Sequence, residues 1–278
     1  MKSEFEEKSY EAAFNVELGQ GQSGLVFFAP GQRLEAHLGF DVAWQLGVSD
    51  PLWRAINLTG GAGLPIAPTQ GHVVPADAFN LFIQYKRSDW LHGRRSQHRA
   101  HFGGDYYRFM FNHPARQLNV LQNLEQAAAG TARVVYAAPE FHTVGRLMDA
   151  SRNGTVVRQS VLVEAGSLGR GHRAYNFKLG NQSLLNPEPE LAKGSRGDSY
   201  FSELANSPGA RVPWEESLSV LHSAITETPE WGRAAALTSE AQAVADEGLY
   251  GDQIENVRRF VDIQLFAWMN NLRWVTAG

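Results

Sequence analysis

The chain has 278 residues and no cysteine, which excludes a disulfide scaffold, a thiolate zinc site and a cysteine nucleophile together. With 43% hydrophobic and 19% charged residues, its composition is that of a folded globular protein, large enough for one α/β domain or two modest ones. A formal net charge of −4 argues against a general nucleic-acid coat protein but leaves room for an enzyme with a local basic groove.

No apolar run reaches the roughly 18 residues that span a bilayer. The N-terminal Met1-Lys2-Ser3-Glu4 is charged and carries no apolar signal core, so the expected location is cytoplasmic and no membrane partner is expected. Ser3 followed by Glu6 is a capping-box pattern and predicts a first helix. Tyr10, Ala13, Phe14, Glu17 and Leu18 then follow the spacing of a buried helical face, up to Gly19 and Gly21. Glu17 is the odd member of that stripe, while Glu11 at its edge reads as a solvated charge.

Leu25-Val26-Phe27-Phe28 is a short apolar run closed by Pro30-Gly31, and residues 32–38 suit one or two helical turns. Residues 39–46 alternate, with Phe40, Val42, Trp44 and Leu46 on one face and Asp41, Ala43 and Gln45 on the other, which predicts a strand. Residues 47–78 are rich in Gly and Pro and read as an irregular connection. Residues 80–87 form the strongest strand pattern, apolar enough to be covered on both faces.

The Tyr106–Phe111 aromatic run reads as core packing or a strand, with base stacking as the alternative. Pro114 opens a helix carrying Leu118, Leu121 and Leu124; residues 132–138 predict a second buried strand stopped by Pro139; residues 141–150 predict a short helix. Farther on, strands are expected at 156–163 and 173–178, a loop over 180–213, and helices near 215–224, 239–247 and 252–274.

Gln84 and Lys86 lie two apart on a strand, so both side chains leave the same face. Lysine is rarely buried without a partner, so Lys86 either faces acceptors in a cleft or reaches solvent from the strand end. If the strands bearing Asp41 and Gln84 pair, a carboxylate, an amide oxygen and an ammonium converge on one point. Oxygen ligands of that kind suit a hard cation such as Mg²⁺, with the lysine placing the attacking water. Lys86, Arg87, Arg94, Arg95 and Arg99 fall within one short stretch opposed only by Asp89, which suits either a solvated loop or a phosphate-contacting one. The histidines lack clear ligand spacing, and no Gly-x-x-x-x-Gly-Lys-Ser/Thr loop occurs, so nucleotide hydrolysis is not expected.

These residues, in this order, resemble the PD-(D/E)XK superfamily of restriction-endonuclease-like nucleases. Glu17 stands on the first helix, Asp41 follows Gly39-Phe40, Gln84-Tyr85-Lys86 ends an apolar strand, and the Leu118 helix and the Val134-Val135-Tyr136 strand follow. The departure is Gln84, where most members carry Asp or Glu; it is similar to a glutamine-x-lysine subgroup that includes Mrr-like and antiphage nucleases.

The resemblance implies an α/β fold with a mixed-sheet α-β-β-β-α-β core over residues 1–150, followed by a mostly helical extension over 151–278 for an interface or target recognition. It implies an Mg²⁺-dependent deoxyribonuclease, with Mn²⁺ as the alternative ion. Lys86, Asp41, Gln84 and Glu17 would be catalytic, and Asp41, Gln84 and Glu35 would bind metal. Arg87, Arg94, Arg95 and Arg99 would hold double-stranded DNA. Other defence-system proteins and a second copy of the chain are the implied partners. Glu17 and Glu35 remain alternatives for completing the site. An inactive nuclease-fold subunit that binds nucleic acid or proteins is the alternative reading, because a glutamine brings no negative charge.

Overall fold

A computed structural model describes residues 1–21, 27–28, 43–44, 77–94, 96–111, 114–128, 130–169, 171–186, 190–206, 212–228, 231, 255, 259, 262–263, 266–267 and 272–277. Its regular elements, in chain order, are α1 (Glu7–Gly21), β1 (Phe27–Phe28), β2 (Ala43–Trp44), β3 (Asp77–Tyr85), β4 (Asp89–Leu91), β5 (Tyr106–Met110), α2 (Pro114–Ala127), β6 (Ala132–Pro139), α3 (Val144–Arg152), β7 (Ser160–Glu164), β8 (Ala174–Phe177), β9 (Ser183–Asn186), β10 (Glu190–Ala192), β11 (Ser195–Arg196), α4 (Gly197–Ala205), β12 (Val212–Pro213), α5 (Trp214–Thr226) and β13 (Arg273–Ala277). The fold is mixed α/β, in two compact units interleaved along the chain. The first unit takes residues 1–23, 83–125 and 133–208; the second takes 24–82, 126–132 and 209–278.

In the first unit α1 starts after Glu6, whose carbonyl accepts from the N–H groups of Ser9 and Tyr10. The expected capping box does not form: Ser3 Oγ is buried with no hydrogen-bond partner among the described residues. The helix buries Tyr10, Glu11, Phe14, Asn15 and Leu18. Glu11, expected in solvent, is therefore inside, 3.6 Å from the Lys8 ammonium. Tyr10 and Phe14 set their ring edges against Tyr85, with centroids 5.7 and 5.4 Å away. Two side-chain hydrogen bonds fix the helix: Tyr10 Oη donates to Ser160 Oγ at 2.8 Å, and Tyr85 Oη donates to Asn15 Oδ1 at 2.5 Å.

Two sheets build the rest of this unit. One runs β11-β7-β6-β3, with β6 and β7 antiparallel from Val135↔Glu164 to Pro139↔Ser160. The other runs β10-β9-β8-β5-β4, antiparallel throughout. β6 is buried at all but one of its residues, as its unbroken apolar sequence predicts for a strand covered on both faces. Phe109 of β5 joins the sheets: its ring lies 5.9 Å from Tyr136 of β6 and 5.2 Å from Tyr175 of β8.

Gly197 opens α4 where a Cβ would overlap the carbonyl oxygen of Val157. Gly197→Ala is expected to cost about 1–3 kcal/mol by overpacking against rigid backbone, read as a lower urea midpoint.

In the second unit, β12 and β13 pair with β3, β12 through Val212↔Ala78 and Pro213↔Asp77, and β1 pairs with β2. Asn80 ties this unit together. Its amide donates to Ser217 Oγ and to the Thr131 carbonyl, and its Oδ1 accepts from Trp274 Nε1 at 2.9 Å. Trp274 stacks on Phe82 with centroids 6.2 Å apart.

The strands expected at 80–87, 132–138, 156–163 and 173–178 correspond to β3, β6, β7 and β8, and the aromatic run at 106–111 contains β5. Two further expectations are corrected. Residues 180–213, expected as a loop, contain β9, β10, β11, α4 and β12; the strands, of two to four residues, are too short to display a period. Trp274, expected at a helix end, lies in β13, whose Trp-Val-Thr run suits a pleated surface. The helices expected at 32–38 and 239–247 lie outside the described residues. Among the described residues no helix is long and apolar enough to cross a membrane.

Candidate functional site

β3 places Gln84 and Lys86 at its C-terminal end, and both are buried, at 0% and 2% exposure. Alternation decides which side each residue faces. Tyr85 reaches Asn15 of α1, and the Arg87 guanidinium lies 3.4 Å from Glu6 just before it. Lys86, between them, turns the other way and brings its ammonium to 5.9 Å from the centroid of the Tyr136 ring on β6. The Lys86 N–H donates to the Ala137 carbonyl at 2.9 Å, which extends the β3–β6 pairing past the strand end. The Gln84 amide N–H is directed at the Tyr85 carbonyl, 3.4 Å away.

The Lys86 ammonium is buried without a hydrogen-bond partner among the described residues. Burial disfavours its charged form and holds its pKa below the usual lysine value, against the opposing pull of the Glu7 carboxylate. Glu7 is a charge that the sequence did not single out. It belongs to Glu6-Glu7-Lys8, an acid-x-Lys match on a helix, where that spacing carries no strand meaning.

Glu17 is engaged elsewhere. Its Oε2 accepts from the Val156 N–H at 2.5 Å, fixing the turn that leads into β7. Burial raises its pKa, while the Val156 and Val157 N–H groups and the Arg158 charge pull it down. Its position on a buried helical stripe is thus explained by an anchoring contact with backbone.

In the basic stretch, Arg87 faces Glu6 and Arg99 pairs with Asp105, while Arg94 is exposed. His98 Nε2 lies 2.7 Å from Asn186 Oδ1, and His101 Nε2 lies 2.8 Å from the Gln182 carbonyl oxygen, so both histidines pin this loop to the second sheet. Asp41, Glu35 and Arg95 lie outside the described residues.

Gln84 carries an amide oxygen near the end of β3 and Glu7 a carboxylate whose charge reaches the Lys86 ammonium, oxygen donors of the kind a hard divalent cation takes. Among the described residues no group of three or more His, Asp or Glu could hold an ion by itself. No family model, curated protein or solved structure matches the chain.

Proposed function

We propose that this chain is a metal-dependent nuclease that hydrolyses phosphodiester bonds of double-stranded DNA, in a restriction or antiphage defence setting. The observation that carries the reading is Lys86, an ammonium 2% exposed with no hydrogen-bond partner among the described residues, two positions from Gln84. A fold retains so costly a group chiefly where chemistry needs it.

The nuclease core would cover residues 1–150, with 151–278 serving an interface or target recognition. Asp41 and Gln84 would hold Mg²⁺ or Mn²⁺, with Glu35 completing the set in place of Glu17, whose carboxylate is bonded to the Val156 N–H. Such an ion, when bound, supplies Lewis-acid activation of water and of the phosphoryl oxygens. Lys86 would orient the attacking water, and its depressed pKa brings Nζ closer to accepting a proton near neutrality. Arg87, Arg94, Arg95 and Arg99 would grip the phosphate backbone, so affinity falls as salt rises. Other defence proteins and a second copy of the chain are the proposed partners, in the cytoplasm.

A second reading, a nuclease-fold subunit that binds DNA without cutting it, is favoured by the shielding of the Lys86 ammonium from solvent and by the neutral amide of Gln84. Plasmid DNA incubated with the full chain in Mg²⁺ or Mn²⁺ separates the two. The nuclease reading expects nicking or linearisation that disappears in Asp41→Ala while the circular dichroism spectrum is retained. DNA binding at low salt without cleavage in either ion would establish the binding subunit instead.

A further inference from the structure

We propose that His142 is a proton-sensitive catch that holds the segment Met1–Phe5 on the edge of β4 at neutral pH and releases it in acid. The inference is independent of the nuclease reading. Met1 and Trp90 exchange two backbone hydrogen bonds: the Met1 nitrogen donates to the Trp90 carbonyl at 2.6 Å, and the Trp90 N–H donates to the Met1 carbonyl at 2.8 Å. Farther along the segment, the Glu4 N–H donates to the His142 carbonyl at 2.7 Å, and Glu4 Oε2 accepts from the Val144 N–H at 3.1 Å. Phe5 then buries its ring against Phe141, 5.8 Å away.

The two residues that hold the segment also touch each other. The His142 ring stacks on the Trp90 indole at 4.8 Å, and His92 stacks on the same indole at 4.5 Å. β4 is an edge strand of its sheet, so its outer N–H and C=O groups need a partner or water. Met1 supplies that partner at Trp90, beside the His142 ring.

The surroundings of this ring favour its neutral form. Burial acts first, the Met1 ammonium and His92 add like charge, and Glu4 pulls the other way, so the His142 pKa lies below the usual 6.5. Tyr107 of β5, with its ring centre 6.1 Å from that of His142, is a further titratable neighbour, itself acted on by Glu140, Arg146 and Asp105. Lifting Met1–Phe5 away hydrates the imidazole and takes the Met1 ammonium and Glu4 with it. The released form therefore binds a proton more tightly than the closed one, and acid favours release. With a depressed folded pKa, closure is fully favoured above the usual imidazole value and is lost progressively as pH falls towards the lowered one. Attraction between an imidazolium and the indole face works against release, and the sign of the pH dependence decides between the two.

The test is hydrogen exchange of the Trp90 and Glu4 amides in the full chain, corrected for the intrinsic rate at each pH. The Lys86 amide, bonded to the Ala137 carbonyl on β6, is the reference. Protection of Trp90 and Glu4 is expected to fall together as pH drops below 6.5, while Lys86 stays protected. The fall is at most about tenfold per pH unit, the limit for one proton. His142→Phe keeps an aromatic ring for Trp90 and takes no proton, so its protection should hold through the same range. Glu4→Gln keeps an oxygen for the Val144 N–H but removes the opposing charge, so its loss of protection should run further than in the wild type.

Protection that stays level or rises in acid, or that falls as far in His142→Phe as in the wild type, would overturn the catch. A loss in Glu4→Gln no larger than in the wild type would do the same, a check that stands even if His142→Phe does not fold.

Discussion

Lys86→Met is expected to yield a protein more stable than its parent and unable to cleave DNA in Mg²⁺. Methionine fills nearly the same volume without a charge, and Nζ has no hydrogen-bond partner among the described residues. Removing an unsatisfied buried donor of this kind should raise stability by about 1–3 kcal/mol, visible as a higher urea midpoint. If Lys86 orients the nucleophile as proposed, its loss should lower the cleavage rate by about 10²–10⁴-fold.

The pH dependence has a definite sign. Burial holds the Lys86 pKa in the folded protein below the 10.5 of the free side chain, so the unfolded chain binds more protons between the two values. The contribution of Lys86 to stability is intact above the unfolded pKa and is lost as pH falls through the folded one. The advantage of Lys86→Met therefore shrinks as pH rises through the lysine range, down to the part owed to the unsatisfied N–H donors, which the neutral amine keeps. Urea denaturation at neutral and at alkaline pH checks this. A variant less stable than its parent at neutral pH would show that the Glu7 charge and the Tyr136 ring outweigh the cost of burying the ammonium, and the functional argument built on that cost would fall.

The largest stability loss is expected from Phe109→Ala. This ring is 1% exposed and meets Phe111, Tyr136, Tyr175 and Phe177 at centroid distances of 5.2 to 6.2 Å. Truncating it removes a contact that joins β5 and β8 to β6, leaving Phe111 against Tyr136 at 5.3 Å, and opens a cavity among rigid rings. The expected cost is about 3–5 kcal/mol, measured as a shift of the urea midpoint with the slope unchanged. Cleavage should suffer too, because Tyr136, one wall of that cavity, is also the ring beside Lys86. A loss below about 1 kcal/mol would mean that the sheets are held mainly by other contacts.

The case for Lys86 began in the sequence: an apolar strand that closes on Lys86-Arg87 is anomalous on composition alone, and the structure places Lys86 2% exposed. Glu17 shows the opposite. A carboxylate on a buried stripe suggested a ligand, yet its partner is the Val156 N–H, which lies 139 residues away in the chain. Periodicity reports that a side chain faces inward and is silent about what it meets there. Glu11 and Asn15 entered the buried face of α1 for the same reason: Asn15 accepts from the Tyr85 hydroxyl, a partner that no helical spacing reveals.

The sequence by itself determined the long apolar strands β3 and β6, the helices α1, α2 and α5, and the position of Lys86 at a strand end. Each is a local matter of period, cap or breaker, repeated over enough residues to stand out. Tertiary structure alone decided that β4, β5, β8, β9 and β10 make a second sheet, that Tyr136 faces Lys86, and that Glu7 is the carboxylate acting on it. Those outcomes depend on pairing between segments far apart in the chain. Each short strand carries too few side chains to announce its neighbour, and a charge acts through space on whatever packing brings near.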